Sequence, residues 1–264
     1  MQIHLANRTA IVTGSTAGIG LAIASGLAAT GAHVVITGRT QARVDEALVA
    51  TAKQIPGARL TGIAGDLGTR AGAEHLIKQL PEADILINNL GIFEPKAFFD
   101  IPDEDWQRFF EMNVMSGVRL SRHYARGMAE RGWGRIQFIS SESGVQIPSE
   151  MVQYGMTKTA QLAVSRGLAE TLAGTGVTVN SVLPGPTRSE GVGDFFGKIA
   201  AEKGLSQEEV ERDFIATHRP SSLIKRLATV EEVANLCVYL ASEQASATTG
   251  AAMRVDGGVV RSIV

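Results

Sequence analysis

Tyr154 and Lys158 stand four residues apart, a spacing that puts both side chains on one face of a helix and lets an ammonium approach a phenol. A free phenol titrates near 10. A cation about 4 Å away at an effective dielectric of about 20 contributes about 4 kcal/mol, on the order of three pKa units. Such a pair is expected to bring the phenol toward neutrality, where it gives or takes a proton at a carbonyl or hydroxyl oxygen. The run Ser140-Ser141-Glu142-Ser143 precedes the pair, and each of its three hydroxyls could hold an oxygen on which negative charge develops. Near the N-terminus, Thr13-Gly14-Ser15-Thr16-Ala17-Gly18-Ile19-Gly20 leads from an apolar run into a helical pattern. There Gly14 suits a tight turn, Gly18 a close approach of backbone to a pyrophosphate, and Gly20 close packing of helix on strand, with the phosphate on the helix N-terminus.

The elements that must position these residues follow from periodicity. Short apolar or β-branched runs recur at 9–13, 33–37, 59–63, 84–87, 135–139, 177–182 and 252–255, with helical patterns between most of them. Apolar runs are buried on both faces, and helical crossovers make neighbouring strands parallel. The pattern predicts an α/β fold: a doubly wound, seven-stranded parallel sheet of Rossmann type, with helices on both faces in a three-layer sandwich. Two crossovers are long, 103–131 and 151–173. One region, about 185–225, carries several glycines around two short helical patterns, and such an insertion at a sheet's carboxyl edge reads as a lid or substrate loop within one domain spanning 1–264.

Composition narrows the function classes. The chain has 264 residues, 44% hydrophobic and 20% charged, too apolar for disorder. A net charge of −2 supplies no general attraction to nucleic acid or to an anionic membrane, so neither is expected as a partner. The basic residues Arg119, Arg122, Arg126, Arg131 and Arg135 read mostly as a solvated face. The five histidines lack ligand spacing and no metal site is expected. Cys237, the one cysteine, sits in an apolar run and reads as core, in keeping with a reducing compartment. No export signal or membrane-length apolar stretch is visible, so a cytoplasmic setting is expected.

The glycine turn is joined by Asn88-Asn89-Leu90-Gly91, by Tyr154-Gly155-Met156-Thr157-Lys158 and by Pro184-Gly185, in that order. Together these motifs resemble the short-chain dehydrogenase/reductase family, including 3-oxoacyl-acyl-carrier-protein reductase-like members, from Thr9 to the Asp256-Gly257-Gly258 turn. The resemblance implies transfer of hydride between a nicotinamide and a carbonyl or secondary alcohol. It implies Tyr154 as the proton donor and acceptor and Lys158 as its tuner, also bonded to the nicotinamide ribose. The serine thirteen residues before the tyrosine is Ser141, which would hold the substrate oxygen, and Asn113 would support a water leading to the lysine.

By the same resemblance the cofactor would lie against Gly14, Ser15, Thr16, Gly18, Ile19 and Gly20, with Asp66 and Leu67 beside the adenine. Asn88 and Gly91 would form the floor, and Pro184, Gly185 and Thr187 would close on the nicotinamide side. Leu90 stands where the family usually has alanine, which is expected to narrow the pocket. The end of the second strand, around Arg39, has no carboxylate to bond a ribose 2′-hydroxyl. Arg39 instead offers a donor fork to a 2′-phosphate, which favours NADP(H) over NAD(H). The substrate pocket is expected to include Ser141, Ser143, Ile147, Met151, Tyr154 and Pro186, with Glu142 and Glu150 either in contact or facing water. Phe195 and Phe196 read as lid anchors or local core. Relatives of this kind are commonly homotetramers. The rival reading is a sensor or scaffold that binds dinucleotide without turnover.

Overall fold

Successive residues of β1 (Thr9–Val12) feed opposite cores: Ala10 and Val12 pack on one side and Ile11 on the other. The same split holds along β2 (His33–Gly38), where Val34 and Ile36 oppose Val35, so the strands are apolar on both faces because both faces are covered. This is a computed structural model describing residues 2–263, the side chains of Asp194, Phe195 and Lys203 excepted. Phe195 therefore lies outside the described side chains.

The remaining strands of the main sheet are β3 (Arg59–Ala64), β4 (Ile85–Asn88), β5 (Gly134–Ile139), β6 (Val177–Pro184) and β9 (Ala252–Val255). They form a seven-stranded sheet in the order β3-β2-β1-β4-β5-β6-β9, parallel at every pairing. Helices α1 (Gly18–Ala29) and α9 (Val230–Leu240) cover one face, with Ile23, Leu27, Val233 and the buried Cys237 in its core. On the other face lie α3 (Arg70–Gln79), α5 (Ser116–Glu130) and α6 (Val152–Thr171), holding Leu76, Leu120, Tyr124 and Met128 against Phe138 and Val179. Helix α2 (Gln41–Gln54) joins β2 to β3 and is capped by Thr40. Among the described residues no helix is long and apolar enough to cross a membrane.

The expected long helix at 103–131 is two helices, α4 (Asp103–Phe110) and α5, joined by a π-turn at Glu111–Met115. Asn113 lies in that turn, a distortion that occurs frequently at functional sites. Chain order reverses between β1 and β4, neighbours in the sheet, which opens the crevice in which ligands of such sheets bind. Over this edge sit β7 (Thr187–Arg188), α7 (Glu190–Lys203), α8 (Gln207–His218) and β8 (Ala228–Thr229). Phe196, Ala200, Val210, Ile215 and Leu227 give this excursion its own apolar cluster. Arg135 does not join a solvated face: it is buried in β5 and donates to the carbonyls of Ser242, Gly134 and Gly176.

Candidate active site

Gly14 and Gly18 have φ of +61° and +55°, a region that L side chains rarely adopt. A Cβ at Gly20 would come within 2.4 Å of the Gly14 carbonyl oxygen and 2.5 Å of Asn89 Nδ2, so only glycine lets the helix start this close to the turn. Ala17 provides no side-chain cap and the first turn of α1 contains no acid, which leaves the helix N-terminus open to an anion. Thr16 flanks the turn beside Gly38. These features form a cradle that fits a dinucleotide pyrophosphate. The Ser15 hydroxyl does not serve it: fully buried, it donates to the Val12 carbonyl at 2.7 Å and accepts from the Thr37 amide at 3.0 Å, tying β1 to β2.

Alternation along the β4 end also corrects the floor. The Asn88 side chain is buried and donates to Ser121 Oγ at 3.0 Å. Its neighbour Asn89 lines the cavity and braces the glycine turn, donating to the carbonyls of Thr13 at 2.9 Å and Gly14 at 3.1 Å. Gly91 lines the cavity beside Lys158. Leu90 is not part of the cavity lining: its side chain packs against the α3/α5 core, with Cδ1 beside the Gly14 turn. Leu67 likewise sends its side chain into that core, while Asp66 is exposed and its Oδ1 accepts from the Gly68 amide. Arg39 is exposed and makes no hydrogen bond or ion pair among the described residues.

A cavity of about 300 Å³ opens at the carboxyl ends of β4, β5 and β6. Its lining brings Ile19, Gly91, Pro184, Gly185 and Thr187 together with Ser141, Ser143, Met151, Tyr154, Lys158 and Pro186. Gly185 sits tight on Asp256, where a Cβ would meet the carbonyl oxygen at 2.6 Å. Thr187 donates to the Gly185 carbonyl at 2.9 Å. Ile147 is outside the lining: half exposed, it covers Gly155. Phe196 is both core and lining, joined by Phe93, Phe214, Leu227 and Arg219 from the loops and helices above. None of these last four carries a local motif.

Lys158 is buried and donates to the Ile139 carbonyl at 2.9 Å, with its nitrogen 5.5 Å from the Tyr154 ring centre. Asn113 is held on three sides, accepting from the Ile92 amide at 2.7 Å and donating to Ile92 O and Thr157 Oγ1. Its backbone carbonyl accepts from Gln161 at 2.6 Å. A Cβ at Gly91 would stand 3.4 Å from both Asn113 Oδ1 and Lys158 Nζ, so the asparagine and the lysine meet at that glycine.

The expectation that the lysine lowers the phenol pKa is not met. Burial pushes Tyr154 well above 10, the Glu142 charge pushes the same way, and Ser141 and Arg219 pull back. The ammonium points at the β5 carbonyl and does not reach the phenol oxygen. Burial also lowers Lys158 from 10.5 to about 7. Between pH 7 and 10.5 the unfolded chain thus holds more protons at this residue, and stability rises with pH across that window. Lys158→Met removes this contribution. Urea midpoints are expected to favour the variant, relative to wild type, most at pH 7 and least at pH 10; a difference constant over that range would refute the buried ammonium penalty.

Residues 14–260 match the family model described as enoyl-(acyl carrier protein) reductase. The chain is 49% identical to "Uncharacterized oxidoreductase YvaG" of Bacillus subtilis (strain 168), over the full length of both. It is 33% identical to a D-beta-hydroxybutyrate dehydrogenase of Cupriavidus necator, covering 97% of this chain and 99% of that one. Among solved structures, L-sorbose reductase from Gluconobacter frateurii, complexed with NADPH and L-sorbose, superposes with a TM-score of 0.93 at 32% identity over all of both chains.

Proposed function

The chain belongs to the short-chain dehydrogenase/reductase family, and we propose that it is an NADP(H)-dependent ketone reductase, interconverting a carbonyl and a secondary alcohol. The observation that carries this reading is the single cavity in which Ser141, Tyr154 and Lys158 meet the end of the glycine turn at Ile19 and the Pro184–Thr187 stretch. When bound, the nicotinamide supplies hydride to a carbon or takes it back.

The chain's own residues do the rest. Ser141 and Tyr154 flank the substrate oxygen, and Tyr154 releases its proton to that oxygen as the carbon is reduced; in oxidation it takes the proton back. Because burial holds the phenol protonated through neutral pH, it serves as the acid of a reduction. Lys158 supplies positive charge beneath the ring, and Asn113 holds the loop at Ile92 and a water leading to the lysine. Gly14, Thr16, Gly18, Ile19 and Gly20 cradle the pyrophosphate, Asp66 and the Leu67 backbone border the adenine, and exposed Arg39 meets the 2′-phosphate. The α7–α8 excursion is the lid of a single domain. The relatives named above, a hydroxy-acid dehydrogenase and a ketose reductase, support carbonyl–alcohol chemistry, and 3-oxoacyl thioesters belong in the same panel. Family membership supports a homotetramer.

The test is consumption of NADPH or NADH, followed by absorbance of the reduced nicotinamide, against ketones, aldehydes and 3-oxoacyl thioesters. Turnover preferring NADPH is expected. Silence with every carbonyl, while calorimetry shows NADPH bound, would overturn the proposal in favour of a dinucleotide-binding sensor.

A further inference from the structure

Glu142 and Arg219 form an ion pair inside the cavity, Arg219 Nε to Glu142 Oε1 at 2.8 Å. Among the described residues it is the one ion pair with both side chains under a tenth exposed, 5% and 8%. A buried pair is a weak source of stability, since desolvation offsets much of the attraction. Its position in the cavity wall, one residue from Ser141, asks what it does there for a ligand.

The hydrogen bonds give an answer. Glu142 Oε2 accepts from the Ser141 hydroxyl, from the Ser143 amide at 2.8 Å and from the Ser143 hydroxyl at 3.0 Å. Ser141 has one proton, which here belongs to Glu142, whereas hydride transfer needs it on the substrate oxygen. A ketone that draws the proton away takes one of three donors from a buried carboxylate oxygen and leaves it with the Ser143 amide and hydroxyl, a loss of one charge-assisted hydrogen bond. A ketone with a hydroxyl on the adjoining carbon replaces the donor: its O–H turns to Glu142 and Ser141 turns to the carbonyl oxygen.

Charge points the same way. Arg219 is already shared with Glu150, Nη1 to Oε1 at 3.3 Å, so its guanidinium is neutralised by two carboxylates and offers no free two-pronged fork to a substrate carboxylate or phosphate. Arg219 Nη1 also donates to the His218 carbonyl, while Nη2 has no partner among the described residues, leaving a donor for a further hydroxyl oxygen.

We propose that Glu142, anchored by Arg219, is a specificity-determining residue that selects an uncharged 2-hydroxy ketone, the class that includes ketoses and acyloins. The proposal rests on the ketone-reductase reading above. Hydride and the Tyr154 proton convert C=O to CH–OH, the neighbouring hydroxyl is unchanged, and the reverse substrate is a vicinal diol.

The test compares 3-hydroxy-2-butanone, 2-butanone and 3-oxobutyrate with NADPH. In wild type, kcat/KM is expected to be about tenfold or more higher for the hydroxy ketone than for either other compound, and Glu142→Gln is expected to bring the ratio to 2-butanone close to one. Equal use of the two neutral ketones by wild type, preference for 3-oxobutyrate, or a ratio unmoved in Glu142→Gln would overturn the proposal. Calorimetry of 2,3-butanediol against 2-butanol on the wild-type NADP⁺ complex reads the same selection without turnover. If no ketone reacts, the reductase reading fails, and tighter binding of the diol still supports the selection by Glu142 while equal binding refutes it.

Discussion

Replacing Tyr154 by phenylalanine is expected to lower kcat for carbonyl reduction by about 10³-fold, within the range that a positioned general acid contributes. The substitution removes one oxygen from a residue whose ring sits edge-on to Phe93, 6.4 Å between centres, so the cavity wall stays in place. NADPH affinity, followed by fluorescence titration, is expected to stay within about threefold. The loss falls on kcat because the phenol proton moves only as the substrate oxygen gains charge. A variant keeping more than a tenth of wild-type kcat would show that the proton comes from elsewhere. The two shifted groups add a pH signature: the Tyr154 phenol stays protonated through neutral pH, so a decline of reduction as pH rises through about 7 reports the loss of charge on Lys158 and not ionisation of the phenol.

The second large effect is on cofactor choice. Arg39→Asp is expected to lower the NADPH-to-NADH ratio of kcat/KM by about 10² or more. A charge-assisted hydrogen bond is worth about 1.5–3 kcal/mol, and the introduced carboxylate both repels a 2′-phosphate and accepts from a 2′-hydroxyl. Arg39 is available for this role because nothing else holds it, whereas Arg43, one helical turn later, is engaged by Glu46 and Glu190. Arg43 serves as the control, and Arg43→Ala is expected to leave the ratio within about threefold, as for removal of exposed ion pairs. Measured steady-state ratios that do not move in Arg39→Asp would remove Arg39 from the 2′-phosphate site.

What local sequence determines is the set of elements and the chemistry at their ends. Apolar runs must be strands covered on both faces. Three glycines after the first strand must make a turn that a side chain would block, and a tyrosine and lysine four apart must share a helix face. These depend on neighbours within a few residues, where geometry is set by the backbone itself. The helix α9 starts at Val230, where Thr229 and Glu232 form a capping box that is written in the chain at the same short range.

Orientation across elements was decided only by the tertiary structure. Whether Asn88 or Asn89 faces the cavity depends on how β4 sits between the glycine turn and α5. The direction of the Lys158 ammonium depends on the Ile139 carbonyl from β5, 19 residues away, and burial, which no spacing records, reverses the expected shift of Tyr154. Glu142 carries no sign in the sequence of whether it meets water or a partner. Its partner, Arg219, stands 77 residues further on, at the end of α8. A side chain's charge and size are local properties, but its solvent and its counter-charge are supplied by segments that only folding brings beside it.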